Sequence, residues 1–112
     1  MTLPETVRRL LPCLALLGIS ACTAAGPPVQ EMSDARQAIA AAREAGAAEL
    51  ASDNLVVAET RLAEAEVQLQ QHMYWNAKKL ALGAKESAIA ALLHSRSLRE
   101  AGTAAAPAAP SR

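Results

Sequence analysis

The sequence predicts an all-α protein built as an antiparallel helical hairpin or a three-helix unit. Alanine dominates the chain, aromatic residues make up only 2% of it, and all six prolines lie outside residues 29–106. Small or apolar residues also recur at steps of three and four, which places them on one face of a helix. Because alanine has the highest helix propensity, we expect helices that pack through small side chains.

The first 21 residues have the layout of a secretory signal. Arg8 and Arg9 precede the apolar residues 10–19, and small residues follow. An apolar run of this length falls short of the roughly twenty residues that cross a bilayer as a helix. We therefore expect residues 1–21 to be a signal peptide that is removed.

Residues 19–22, Ile-Ser-Ala-Cys, resemble the lipobox of bacterial lipoproteins. This resemblance implies lipid attachment on Cys22, cleavage after Ala21 and an N-terminus that is acylated. Several acyl chains would hold the protein firmly on a membrane. The alternative is an ordinary signal with an incidental cysteine. By similarity to lipoprotein sorting rules, Thr23 points to the outer membrane, facing the periplasm. Cys13 would leave with the signal, so no disulfide is expected.

Residues 22–31 are predicted to be a flexible tether, since they are small and include paired prolines. The alanine-rich helical domain should span residues 32–101. Its first helix should begin near Ser33, where Ser33 or Asp34 can cap backbone amides. The predicted inward positions of this helix are Met32, Ala35, Ile39, Ala42 and Gly46.

A second helix should start near Asp53, because the polar side chains of residues 52–54 favour a turn and a cap. Its stripe alternates steps of three and four through Leu55, Ala58, Leu62, Ala65 and Leu69. Polar and aromatic residues at 70–76 then interrupt the pattern, so we predict a second turn there.

The third predicted helix carries a stripe of small residues, which would let another helix approach closely. This stripe consists of Ala77, Ala81, Ala84, Ala88, Ala91 and Ser95. Gly102 is predicted to end the helix, and residues 102–112 to form a disordered tail.

Charge is distributed unevenly between the two halves of the chain. Residues 31–66 hold eight acidic and three basic side chains, whereas residues 67–112 hold two acidic and six basic ones. We expect these halves to attract each other when folded back antiparallel. Without residues 1–21 the chain stays close to neutral, which argues against nucleic acid as a partner.

The sequence offers no constellation typical of an enzyme, a metal site or a cofactor site. His72 and His94 lack cysteines or paired carboxylates at ligand spacing. Glu64 and Glu66 point in different directions on a helix and make a poor acid and base pair. We therefore expect no catalytic, cofactor-binding or metal-binding residues.

Met73, Tyr74 and Trp75 form the one ambiguous cluster, because it contains both aromatic residues of the chain. We expect these side chains to be a buried plug at the end of the bundle. The alternative is an exposed site at which Tyr74 and Trp75 contact a partner or the membrane interface.

Three segments resemble the alanine-rich envelope lipoproteins of domain-of-unknown-function family 4398. They are residues 35–46, 55–66 and 74–84, the last together with Ala88. The last segment is also similar to part of a tetratricopeptide helix pair, without a second copy at a fixed period.

From these features we hypothesise a non-enzymatic lipoprotein of the envelope, whose domain binds or scaffolds another envelope component. The alternatives are a peptidoglycan-binding spacer and an accessory subunit of an envelope enzyme. The expected partners are a membrane, through the lipid on Cys22, and an envelope protein. Peptidoglycan is the partner if the protein is a spacer, and the oligomeric state is left open.

Overall fold

A computed structural model describes residues 4–5 and 26–105 of the chain. Residues 26–105 form four helices and contain no strand, so the all-α class is confirmed. The helices are α1 (Val29–Glu44), α2 (Ala47–Leu50), α3 (Ser52–Gln70) and α4 (Tyr74–Ala105). The three long helices run up, down and up, and α4 packs against both α1 and α3.

Small residues fill the seam along which α4 meets the other two helices. The six predicted positions of α4 are all fully buried: Ala77, Ala81, Ala84, Ala88, Ala91 and Ser95. The hydroxyl of Ser95 donates to the carbonyl of Ala91 at 2.8 Å, so its burial leaves no polar atom unpaired. With only methyl-sized side chains in the seam, neighbouring backbones can approach closely and gain dispersion contacts.

Larger side chains from α1 and α3 pack on both sides of this alanine seam. Met32 packs with Ala65 and Ala81 near one end of the bundle. Towards the other end, Ile39 and Leu55 form a second cluster that includes Ala88. Four of the positions predicted for α1 are buried, Met32, Ala35, Ile39 and Ala42, whereas Gly46 lies beyond the helix and is half-buried. Of the positions predicted for α3, Leu55, Ala58 and Ala65 are buried and Leu62 and Leu69 are half-buried.

Ion pairs connect α1 to both of its long neighbours. Two pairs join α1 to the antiparallel α3: Arg36 to Glu66 at 3.0 Å and Arg43 to Glu59 at 2.6 Å. Exposed pairs of this kind contribute little energy, but they favour one register.

The basic α4 pairs with the acidic α1, as the charge asymmetry suggests. The antiparallel arrangement predicted for the two halves holds for α3 and α4, but it was wrong for α1 and α4. Lys78 contacts Glu31 at 3.3 Å and Lys85 contacts Asp34 at 3.0 Å. Because both residue numbers rise together, α1 and α4 are parallel. The intervening α3 reverses the chain between them, so the third long helix returns to the direction of the first.

The first helix begins earlier than predicted, at Val29, and neither Ser33 nor Asp34 caps it. Its N-cap is Pro28, with no side-chain hydrogen bond, and residues 29–31 of the predicted tether are helical. Proline is tolerated at a helix start because its missing N–H would have no partner there. Asp34 instead binds Lys85 across the interface.

The first long helix ends before Gly46, earlier than the predicted turn at residues 52–54, whereas α3 begins at Ser52, next to its predicted start near Asp53. Gly46 has φ +86°, a left-handed conformation that glycine adopts without steric cost, and its N–H donates to the Arg43 carbonyl at 2.9 Å. The short α2 follows. Ala51 is the N-cap of α3 and makes no side-chain cap, so the predicted cap at residues 52–54 was wrong.

The second turn lies within the predicted segment, at residues 71–73. His72 adopts a left-handed φ of 61°, its N–H donates to Leu69, and the Met73 N–H donates to Gln68. These two bonds form a Schellman motif that closes α3.

The last helix continues through Gly102 to Ala105, so the predicted end at Gly102 was wrong. One helical glycine costs only about 1 kcal/mol relative to alanine, and the nearby Ala101, Ala104 and Ala105 favour a helix. Among residues 74–104 of α4, Ser95 is the last buried one, and residues 96–104 are exposed. Residues 106–112, the rest of the predicted tail, lie outside the described residues.

Candidate lipid anchor and interaction surface

The predicted lipid attachment site, Cys22, and the predicted cleavage position after Ala21 lie outside the described residues. Helix α1 begins seven residues after Cys22. Across residues 4–5 and 26–105, no helix combines the length and the apolar character that a membrane span requires.

One end of the bundle gathers the start of α1, the end of α3 and the start of α4. We call it the proximal end and define it by Val29, residues 67–73 and residues 74–76. Met32 packs beneath it against Ala65 and Ala81, and the ion pair between Glu31 and Lys78 closes its side. The chain therefore enters the bundle at the end that also carries the aromatic residues.

The structure brings Tyr74 and Trp75 to this end but does not bury them as a plug. Trp75 is 71% exposed and Met73 is 45% exposed, so the predicted buried plug was wrong for both side chains. Tyr74 is half-buried, and its ring lies 5.9 Å from the ring of His72. An open depression of about 390 Å³ is lined by residues 72–76.

Trp75 is exposed because of its position on α4. The helix turns its buried face inward at Ala77, and two residues correspond to about 200° around a helix. Trp75 therefore points away from α1 and α3. Sequence reasoning missed Val29, which is also 71% exposed at the proximal end. The sequence signal for this exposed site was Val29 itself, a β-branched apolar residue that lies outside the predicted buried stripe of α1.

An open groove of about 480 Å³ runs between α3 and α4. Arg61, which lines this groove, donates to the Gly83 carbonyl at 3.2 Å and to the Ser87 hydroxyl at 2.9 Å. Lys79 lines the same groove and forms no ion pair with any residue in the range 26–105. The guanidinium of Arg61 is thus engaged in joining helices, whereas Lys79 remains available near the proximal end.

Two carboxylates of α1 are held in their ionised form. A hydrogen bond from its own backbone N–H, followed by the Lys78 ammonium, lowers the pKa of Glu31. The pKa of Asp34 is lowered by hydrogen bonds from Lys85 and from Gln30. Both groups therefore stay charged at neutral pH and keep their links to α4.

The other titratable residues considered from the sequence are dispersed. His72 and His94 lie near opposite ends of the packed part of α4, and Glu66 binds Arg36. Within residues 4–5 and 26–105, no cluster of three or more His, Cys, Asp or Glu side chains could hold a metal ion. The expectation that the protein lacks catalytic and cofactor-binding residues stays a prediction.

No protein-family model, curated protein or solved structure matches this chain. The resemblance to family 4398 accordingly stays a prediction. The class that the structure defines is an all-α bundle of three long helices with one short additional helix.

Proposed function

We propose that this chain is a non-enzymatic lipoprotein of the bacterial envelope, anchored through lipid on Cys22, whose helical domain binds or scaffolds another envelope component. The observation that carries the proposal is the lipobox-like sequence at residues 19–22, placed seven residues ahead of an independent helical bundle. A membrane anchor followed directly by a packed domain needs no further span to hold that domain at a surface.

The outer face of α4 supports the binding role. Leu82, Ile89 and Leu93 are exposed on it at steps of seven and four, opposite the buried alanine seam. When a helix is apolar on two sides, its own bundle buries one face, and the other face is free to bind another component. We call these three residues the outer stripe of α4.

The anchor is tested by expressing the full chain in a Gram-negative host and comparing two cysteine variants. Cys22→Ser should abolish lipidation and release the protein from the membrane fraction. Cys13→Ser is the matched control and should leave both unchanged. Intact mass and membrane fractionation report the two effects. An unmodified thiol at position 22, or a mature chain that retains Met1, would contradict the proposal.

The scaffolding role is tested by photo-crosslinking in living cells. A crosslinking amino acid at Leu82 or Leu93 should capture the same envelope protein, while one at the exposed Glu64 of α3 serves as the control. Products that carry peptidoglycan fragments would instead favour the spacer function. The scaffold proposal fails if the two outer-stripe positions give no product beyond that of the control.

A further inference from the structure

The proximal end exposes three large apolar side chains that the bundle does not use. They are Val29 and Trp75, each 71% exposed, and Met73, which is 45% exposed. Single exposed apolar residues are ordinary on soluble proteins, but here Val29 from the start of α1 and Met73 and Trp75 at the start of α4 lie at one end. Tyr74 lies half-buried beside them.

We propose that the proximal end rests on the surface of the phospholipid bilayer, with Trp75 in the interfacial layer. This inference depends on the proposed anchoring through Cys22. Tryptophan and tyrosine favour the membrane interface because their rings combine an apolar body with a polar N–H or O–H group. The proximal end holds both aromatic residues of the chain.

The length of chain between Cys22 and the bundle favours the bilayer as the occupant of this surface. Six residues lie between Cys22 and Val29, and the seven Cα–Cα steps from one to the other span at most about 25 Å. The opposite end of α1 lies a further 24 Å or so away, because α1 has 16 residues. The proximal end is therefore the part of the bundle that a lipid on Cys22 holds nearest to the membrane.

The start of the fold limits the slack at this end. Pro28 is buried, the Val29 N–H donates to the Pro27 carbonyl at 2.8 Å, and the Met32 N–H donates to Pro28 at 3.0 Å. The chain is thus fixed to α1 from Pro27 onwards. Only four residues, 23–26, lie between Cys22 and this fixed start of the fold.

The charge at this end suits a phospholipid surface. Lys79 is exposed and forms no ion pair with residues 26–105, and the ammonium of Lys78 is balanced by Glu31. The uncompensated charge near Trp75 is therefore positive, which favours approach to anionic headgroups.

Trp75 is the only tryptophan of the chain and reports its own surroundings by fluorescence. The experiment uses the full lipidated protein in vesicles of phosphatidylethanolamine and phosphatidylglycerol, with and without brominated phosphatidylglycerol. We expect Trp75 emission to shift to shorter wavelength in vesicles, to be quenched by brominated lipid, and to be protected from acrylamide.

The matched control moves the reporter to the other part of α4. In the double variant Trp75→Phe with Leu93→Trp, the new side chain occupies a position that is 57% exposed and about 27 Å along the helix from Trp75. Its emission should remain open to acrylamide and insensitive to brominated lipid. Circular dichroism checks that the variant keeps its helical content.

Flotation with the vesicles and the mass of the modified Cys22 separate failure of the anchor from failure of this inference. A chain without lipid would overturn both proposals. Lipidated protein that floats while Trp75 stays open to acrylamide would overturn only the bilayer contact. Equal quenching of Trp75 and of a tryptophan at position 93 by brominated lipid would show that the outer stripe lies flat on the membrane. Protection of Trp75 from acrylamide in the absence of lipid, rising with protein concentration, would identify a second copy as the occupant. Either result would refute the end-on contact.

Discussion

Replacing Ala88 by leucine tests whether close packing along the alanine seam holds the bundle together. Ala88 is fully buried on α4 and belongs to one cluster with Ile39 of α1 and Leu55 of α3. A leucine there adds three carbon atoms at a point enclosed by two helices. The side chain can be accommodated only by off-rotamer packing or by moving α1 and α3 apart.

Overpacking of this kind costs typically about 1–3 kcal/mol. A domain of the size of residues 26–105 has a free energy of unfolding of about 4–12 kcal/mol, so the loss is a substantial fraction of the total. For a domain of this size, each kcal/mol lowers Tm by about 4–8 °C. We therefore expect Ala88→Leu to lower Tm by at least about 4 °C.

Thermal unfolding followed by circular dichroism at 222 nm measures this effect. The matched control is Ala90→Leu, because Ala90 is exposed on the same helix and leucine and alanine have similar helix propensities. The control should change the free energy of unfolding by less than about 0.5 kcal/mol. The reasoning would be refuted if Ala88→Leu left Tm unchanged, or if both variants lowered it equally.

Three further predictions follow from backbone geometry and from charge. Gly46→Ala should lower the free energy of unfolding by about 1–2 kcal/mol, because alanine at φ +86° is strained. Gly102→Ala should raise it by up to about 1 kcal/mol, since nothing lies within 4 Å of the added carbon. Urea unfolding compares the two variants, and a similar effect at both sites would contradict this reasoning. His72→Gly should raise stability by up to about 1 kcal/mol by relieving its left-handed conformation, and a lower Tm would exclude strain there. The lowered pKa values of Glu31 and Asp34 mean that the folded state binds their protons more weakly than the unfolded state does. The stabilisation from these two carboxylates is therefore complete above about pH 5 and is lost as the pH falls below about 4 through their folded-state pKa values. The difference in free energy of unfolding between wild type and Asp34→Asn should accordingly shrink on acidification and not stay constant.

The periodic part of the fold could be predicted from the sequence. The spacing of small and apolar residues alone identified the buried stripe of α4 from Ala77 to Ser95, because a helix presents residues three and four apart on one face. The same spacing predicted the burial of Leu55 and Ile39. The turn at residues 71–73 was also located correctly, since polar residues interrupt the stripe there.

The ends of the helices were predicted less well, because alanine-rich sequence gives few local stop signals. Gly46 ends α1 whereas Gly102 lies within α4, and the same residue type therefore has opposite outcomes. What distinguishes them is tertiary structure. After Gly46 the chain must turn to place α3 against α4, and the guanidinium of Arg99 lies over the turn, whereas no packed element meets Gly102.

The exposure of Trp75 could not be predicted from composition. Burial of a rare aromatic residue is the general expectation, but the alanine seam leaves no room for an indole between the helices. The tryptophan therefore occupies the outer surface at the start of α4. Whether Cys22 carries lipid depends on processing enzymes, and neither helix geometry nor packing bears on it.

The overhanging end of α4 has a geometric consequence for the rest of the chain. The helix has 32 residues, so Ala105 is displaced by about 46 Å along the axis from Tyr74, away from the proximal end. Residues 96–104 are exposed and Arg99 lies over the Gly46 turn, so α4 can change in length beyond residue 99 without disturbing the core. Inserting seven residues would lengthen the separation by about 10 Å and rotate the point of exit by only about 20°. The length of the exposed C-terminal part of α4 can thus vary independently of the packed bundle.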